Sequence, residues 1–364
     1  MNARLRVGLD VTQAVKRRGR GIARYIGQVL PPLLREPGVE AELFIRGHRW
    51  FQRRLIAELA ADRPRHWLLG AGRLDGDGLD LFHSFGNHLP ARAAVPLSFT
   101  VHDVRALDRP AGYEGRERLQ RNLQRAAGVI CLTRYGRDRL LHHHPELADR
   151  ELAVVPHGVD HRQFRPQALE RADGVLRRYG LRPPYLVQLG SWFPHKNLEL
   201  SIEAFARSRA RNEGFRLAFV GGGAPANYRR RLERLAQSFG VGGAVDWVEH
   251  VPGEDLAPLL AAARCLLQPS RYEGFALPLL EAMAVALPGV VSDSSCLPEV
   301  SGGVWPVAGV DDAEAFAAGL DLMALDETAR SEAIRRGLEH AADFTWEHTA
   351  AKTTAFFRAV AASG

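Results

Sequence analysis

Cysteine, lysine and long apolar runs are all scarce in this chain of 364 residues. The three cysteines, Cys131, Cys265 and Cys296, stand far apart in or beside apolar strand-like segments. Such spacing carries neither a disulfide framework nor a metal pattern, so free, mostly buried thiols in a reducing cytoplasm are expected. No stretch of about 18 uninterrupted apolar residues occurs, which argues against a membrane span. The opening Met1-Asn2-Ala3-Arg4-Leu5-Arg6 leads straight into a short strand, so no signal peptide is expected. No short repeat or low-complexity tract appears. His142-His143-His144 lacks acidic or cysteine partners, which favours a solvated helix end over a metal site.

Apolar content of 46% and charged content of 25% are those of a soluble globular protein. The length points to two domains rather than one core. Charge is uneven: residues 1–170 hold 28 Lys+Arg against 19 Asp+Glu, a net of +9. The remainder holds 48 − 28 = 20 against 42 − 19 = 23, a net of −3, and the two sum to the overall +6. Basic residues cluster at Lys16-Arg17-Arg18-Gly19-Arg20, at 116–125 and at 134–139. They could meet a phosphate-bearing substrate or an anionic membrane surface, or could be ordinary solvated helix faces. Nucleic acid is disfavoured, because no aromatics interleave the clusters and no binding module is visible.

Short β-rich apolar runs alternate with helical patterns throughout, the signature of parallel α/β sheets. Strands are predicted at 6–9, 41–45, 79–83, 97–101, 129–132 and 153–155, with helices at 21–35, 114–127 and 134–143. The rhythm restarts with strands at 185–189, 216–220, 245–248, 264–268 and 290–292, and helices at 198–209, 227–239, 256–263 and 279–286. Between the halves, 164–184 is predicted to carry a linker-like helix bounded by prolines. Two doubly wound domains, 1–168 and 169–345, are expected to bind a ligand at their carboxyl strand ends.

One segment stands out chemically: P-S-R-Y-E-G-F-A-L-P-L-L-E-A-M, where Glu273 and Glu281 flank a predicted strand-to-helix turn. Pro278 suits the first helical position, which places Glu281 in the first turn and Glu273 on the preceding loop. The amides of Gly274, Phe275, Ala276 and Leu277 would then face outward at a positive helix end that attracts phosphate. Two carboxylates repel phosphate, so their presence suits a ligand that also offers hydroxyls, such as a nucleotide sugar. The plainer alternative is a Glu281 that complements the helix dipole and a solvated Glu273.

Lys16, Lys196 and Lys352 are the only lysines among 48 basic residues. In V-Q-L-G-S-W-F-P-H-K-N, Lys196 follows a strand end, where a chain that otherwise chooses arginine places a point charge suited to phosphate. A surface lysine at a helix start is the alternative, although the helix dipole disfavours it. K-R-R-G-R-G-I-A-R-Y opens a helix; Gly19 and Gly21 permit close backbone approach, or form a simple tight turn. Arg24 occupies the third glycine position of a dinucleotide fingerprint, so that motif is absent. His102 ends the strand of T-V-H-D, as a ligand-facing group or as a core histidine held by Asp103. F-H-S-F-G-N ends the preceding strand likewise, and V-G-G-G at 220–223 is either a ligand-side loop or a flexible turn.

These residues resemble the retaining nucleotide-sugar glycosyltransferases of family 4, with the GT-B fold of two Rossmann-like domains facing a cleft. E-G-F-A-L-P-L-L-E matches the family's acid-x7-acid signature, and the segments at 248–256, 297–300 and 344–350 also fit. In the first half, G-I-A-R-Y, V-H-D and P-H-G-V-D resemble family segments. The resemblance implies that Glu281 holds ribose hydroxyls and that Glu273 contacts the donor sugar. It implies amides of Gly274, Phe275, Ala276 and Leu277 on sugar or diphosphate, and Lys196 with the Gly21 amide on the diphosphate. His102 would touch the donor sugar from the opposite domain, the base would sit near 248–251 beside His250, and residues 346–364 would form a helix crossing back. Ser191 stands where many relatives carry a phosphate-binding arginine, and Ala276 replaces the signature's usual second glycine. Closure about 164–184 would then exclude water.

The implied activity is retaining, metal-independent transfer of a hexose, with GDP-mannose as the first donor and a UDP-sugar as the second. The acceptor would be a glycan, a small molecule or a lipid-linked or phosphorylated hydroxyl compound, with peripheral contact to the inner membrane face through the basic first half. No cofactor or metal is expected beyond the nucleotide sugar, which is a substrate. The competing class is a nucleotide-sugar-binding protein without transferase activity, disfavoured by the intact Glu273, Lys196, Glu281 and His102. A nicotinamide dehydrogenase is disfavoured by the missing third glycine.

Overall fold

The computed structural model describes residues 4–15, 21–46, 65–68, 73–74, 78–108, 110, 113 and 115–363. The predicted Lys16 to Arg20 loop, Gly19 included, lies outside the described residues. The chain forms two compact units, Met1–Gly158 with Thr345–Gly364, and Val159–Phe344.

The first unit is built on a seven-stranded parallel sheet: β1 Leu5–Asp10, β2 Val39–Arg46, β3 Arg65–Leu68, β4 Leu81–Ser84, β5 Leu97–Val101, β6 Gly128–Cys131 and β7 Glu151–Val154. Their spatial order is β3-β2-β1-β4-β5-β6-β7. Strands β4, β5 and β6 are buried along their whole length, as parallel strands covered on both faces must be, their polar members His83, Ser84, Ser98 and Thr100 included. Helix Gly21–Leu33 buries Tyr25, Ile26, Val29, Leu30 and Leu33, spaced three and four apart on one face.

The last helix, Trp346–Ala362, belongs to this first unit. Thr345 caps it, its Oγ1 accepting from the His348 amide at 3.0 Å. Trp346, Ala350, Phe356, Phe357 and Val360 enter the same core cluster as Val7, Leu9 and Ile26. Each such large side chain contributes roughly 1.5–3 kcal/mol on burial. The contact is close enough to dictate a residue: a Cβ on Gly128 would lie 2.5 Å from Val360 Cγ2.

The second unit has six parallel strands: β8 Tyr185–Ser191, β9 Arg216–Gly222, β10 Val245–Glu249, β11 Cys265–Gln268, β12 Gly289–Ser292 and β13 Val307–Ala308. The order is β10-β9-β8-β11-β12-β13. Each unit thus reverses direction beside its first strand, and the gap between β8 and β11 is the switch point where α/β sheets bind ligands. Helices Ala313–Leu325 and Glu327–Ala342, which periodicity left unassigned, start at Asp312 and Asp326, whose carboxylates accept from the Ala315 and Ala329 amides at 2.9 Å.

The 164–184 segment is not a linker. Its helix Ala172–Tyr179 buries Val175 and Leu176 within the second unit, and Arg178 and Tyr179 both donate to the buried Asp255. All three cysteines are free and buried, and burial pushes the Cys131 and Cys265 thiols up to about 12. Among the described residues, no helix is long and apolar enough to cross a membrane.

Candidate active site

Strand β8 ends in Gly190 and Ser191, paired with Gly221 and Gly222 of β9. A Cβ on Gly221 would lie 1.8 Å from the Gly190 oxygen, and its φ of +153° is one that side chains avoid. Glycine at 221 is therefore a demand of backbone packing, and the looser idea of a flexible turn does not describe it. Beyond Ser191 the chain passes through the turn Pro194–Lys196 to Asn197, which sits in the left-handed region at φ +54°. The Asn197 side-chain amide donates to the Pro269 and Val310 carbonyls at 3.1 and 2.9 Å, while the Arg271 amide donates to the His195 carbonyl at 2.8 Å. These bonds lash the loop after β8 to the loop after β11.

The result is an ion pair at the switch point: Lys196 Nζ donates to Glu273 Oε1 at 2.6 Å. Neither side chain is far from solvent, with 16% and 11% exposure, so both are reachable but largely desolvated. Gln268 Nε2 and Ser270 Oγ donate to the same oxygen, each at 2.7 Å. The backbone of this loop is fixed from strand β12 and the turn after it. Ser292 Oγ donates to the Ser270 carbonyl and Ser294 Oγ to the Arg271 carbonyl, both at 2.7 Å. Ser295 Oγ accepts from the Glu273 amide at 2.9 Å, and Cys296 Sγ donates to the Glu273 carbonyl at 3.4 Å.

The following helix is Leu277–Ala284, so Pro278 is its second residue and Glu281 its fifth. Glu281 therefore stands beyond the first turn, contrary to the sequence expectation, and is 1% exposed. Ala276, just before the helix, takes φ +62° and ψ +52°. That left-handed conformation explains why glycine is the easier choice there, since alanine must bear the Cβ strain. The Phe275 ring is buried 6.4 Å from Phe344, which leaves only its backbone for a ligand. His250 takes φ +57° and its amide donates to the Gly221 carbonyl at 3.2 Å, while its imidazole is 87% exposed.

His102 and Gly21 lie in the first unit. His102 Nε2 lies 2.7 Å from the Phe85 carbonyl, which can only accept, so Nε2 carries the proton and Nδ1 keeps its lone pair. Burial lowers the His102 pKa, opposed by the Phe85 bond and Asp103. The ring meets Tyr25 edge-on at 5.1 Å, and Tyr25 stacks on His157 at 4.7 Å. His83 is a core histidine, with Ser98 Oγ at 2.9 Å and Thr100 Oγ1 at 3.1 Å. Gly21 begins its helix where, among the described residues, an added Cβ would meet nothing within 4 Å.

Part of the basic first half is committed to structure. Arg125 donates to the Pro90 and Ala91 carbonyls, Arg150 donates to carbonyls ending helix Arg116–Arg125, and Arg139 and His143 both meet Asp108. His144 pairs instead with Glu146, so the histidine triplet does not converge. No group of three metal-ligating side chains occurs among the described residues.

Sequence reasoning missed Gln268, Ser270, Asn197 and the serine turn after β12. The available signal was a polar residue, Gln268, ending an otherwise apolar buried strand.

Two parallel, doubly wound units fit the GT-B fold of glycosyltransferases. The fold agrees with that of Alr3699/HepE from Anabaena, crystallised with UDP and glucose, at a TM-score of 0.72 and 14% identity over 98% of this chain and 100% of that one. The family model "Glycosyltransferase Family 4" matches residues 22–163, and "Glycosyl transferases group 1" matches residues 178–340. The chain belongs to the family 4 glycosyltransferases. It is similar to O-antigen chain mannosyltransferase B of Escherichia coli, 28% identical over 75% of this chain and 72% of that one. It is also 30% identical to a GDP-mannose-dependent alpha-(1-6)-phosphatidylinositol dimannoside mannosyltransferase of Mycobacterium tuberculosis, over 65% of this chain and 58% of that one. Against two other curated relatives, D-inositol 3-phosphate glycosyltransferases, the matched stretch spans 47% and 46% of their length.

Proposed function

We propose that this enzyme transfers a hexose from a nucleoside-diphosphate sugar, GDP-mannose before a UDP-sugar, to a hydroxyl of a glycan, lipid-linked or small-molecule acceptor with retention of configuration. The Lys196–Glu273 pair at the β8/β11 switch point carries this reading, since one site there offers a cation for diphosphate and a carboxylate for sugar hydroxyls. GDP-mannose is placed first because the mycobacterial relative is named for it, and the basic first half suits a phosphorylated or lipid-linked acceptor.

The chemistry follows from charge. The sugar C1–O bond breaks, its electron pair passes to the leaving diphosphate, and positive charge develops on the sugar ring. Lys196 and the amides of 274–277 meet the growing negative charge, usually the largest catalytic contribution. These groups can supply the neutralisation without a metal ion. The acceptor oxygen bonds to C1 on the face the diphosphate leaves, and the acceptor's proton passes to a diphosphate oxygen. Glu273 steadies the sugar by accepting from its hydroxyls, Glu281 holds the ribose, and the neutral His102 offers Nδ1 to a substrate hydroxyl.

The test is a thermal-shift screen of GDP, UDP, ADP and dTDP, followed by nucleotide release from the matching sugar with candidate acceptors. GDP is expected to give the largest shift and GDP-mannose the release. A shift without release for every donor and acceptor would instead support a sugar-nucleotide-binding protein.

A further inference from the structure

We propose that Gln268 and Ser270 are positioning residues that aim the Glu273 carboxylate, an inference that rests on the role of Glu273 proposed above. A carboxyl on a loop turns freely about its last bond unless something holds it. Here Gln268 directs one N–H to Glu273 Oε1 at 2.7 Å and the other to Ser270 Oγ at 3.1 Å, and Ser270 passes its own hydrogen to Glu273 Oε1 at 2.7 Å. The three side chains close a small ring of hydrogen bonds in which both amide hydrogens are used. Turning the Gln268 amide over would set its oxygen against the carboxylate, so the chemistry admits one orientation.

All these donors, Lys196 included, converge on Oε1, and Oε2 has no hydrogen-bond partner among the described residues. Oε2 is therefore the oxygen left for substrate. Gln268 and Ser270 are buried, and their polar hydrogens are spent on each other and on Oε1, so they serve the carboxylate and not a ligand. Lys196 differs from them because it cannot serve Glu273 and a diphosphate with the same ammonium at full strength. Once a donor draws Lys196 toward phosphate, the two uncharged, buried groups are what keep the carboxylate aimed. Their removal should slow the chemical step and leave donor affinity nearly intact, because misaiming by a fraction of an ångström affects reaction geometry before binding.

The full chain is assayed as Ser270→Ala, Ser270→Thr, Gln268→Met and Glu273→Gln, with the donor that the thermal-shift screen selects. Ser270→Ala and Gln268→Met should each lower kcat about tenfold, the scale of a lost hydrogen bond to a charged group, with donor KM within about threefold. Ser270→Thr keeps the hydroxyl and should recover most of the rate. Combining Ser270→Ala with Gln268→Met should cost less than the product of the two losses, as expected for groups serving one oxygen. An inactive Glu273→Gln beside wild-type kcat in both single variants would overturn the positioning role alone, as would a loss confined to KM. Wild-type rates in Glu273→Gln would instead remove the underlying assignment of the site. Should Gln268→Met fail to fold, the Ser270 pair decides the question.

Discussion

Acid should loosen the first unit, and its buried histidines set the size of the effect. His83 and His157 are buried and His102 is half-buried around Tyr25 and its neighbours, and loss of solvation holds each imidazole below its ordinary value of 6.5, to about 3 for His83. In the unfolded chain each would titrate near that ordinary value, so below it the unfolded state binds more protons than the folded one. Stability is therefore intact above about pH 6.5 and is lost as the pH falls from there toward the folded values. At about pH 5.5 an unfolded imidazole is protonated roughly ten to one, which for His83, neutral in the fold down to about 3, costs folding about 1.4 kcal/mol. His102 and His157, whose values burial also lowers, add to this in the same direction, and even the His83 share is appreciable against a domain stability of roughly 5–15 kcal/mol. The assay is hydrogen exchange of peptides spanning β4 and β5 at about pH 7.5 and 5.5, corrected for intrinsic exchange, for the wild type and His83→Gln. His83→Gln should reduce the pH-linked loss by about 1.4 kcal/mol. Asp10, whose carboxyl burial pushes up, acts with the opposite sign and is common to both proteins. An undiminished pH effect in His83→Gln, or a wild-type change under about 1 kcal/mol, would refute the reasoning.

Lys196→Ala and Glu273→Gln should each reduce transfer by at least about a hundredfold in a nucleotide-release assay, the scale of removing one charge-stabilising group. Incubation with EDTA should leave transfer unchanged, and a complete loss restored by magnesium would contradict the metal-independent mechanism. Gly221→Ala should destabilise the second unit by more than about 3 kcal/mol in urea unfolding, because the new Cβ would overlap the Gly190 oxygen. Gly174→Ala, inside helix Ala172–Tyr179 with nothing within 4 Å of its Cβ position, should stabilise by about 0.5–1 kcal/mol in the same experiment.

Most strands were legible because buried parallel strands leave short runs rich in apolar and β-branched residues: 97–101 was placed to the residue, and most other strands within two. Helices with one apolar face, such as Gly21–Leu33, were equally plain. The helices Ala313–Leu325 and Glu327–Ala342 were not, because alanine-rich sequence such as A-E-A-F-A-A-G-L blurs the contrast between faces. The helix at 172–179 looked like a linker because its flanking prolines signal a break, while its contacts with Asp255 come from residues some eighty positions away. In the site, Glu273 and Lys196 were legible as charges out of keeping with their surroundings. Gln268 and Ser270 were not, since nothing in an uncharged amide or hydroxyl discloses that its partner is the carboxylate next along the loop. The register that brings β8 beside β11, across some eighty residues, is what unites Lys196 with Glu273.

The place of helix Trp346–Ala362 has a consequence for how the molecule is made. A ribosome delivers 1–158 early, but the aromatic groups that complete this unit's interior emerge only after the whole of 159–344 has been synthesised. The middle of the polypeptide can finish folding while the beginning still waits for its missing wall. A stop in translation between 344 and 356 would release a chain whose later lobe is sound and whose earlier lobe gapes, exposing Gly128 and its neighbours to chaperones or to aggregation.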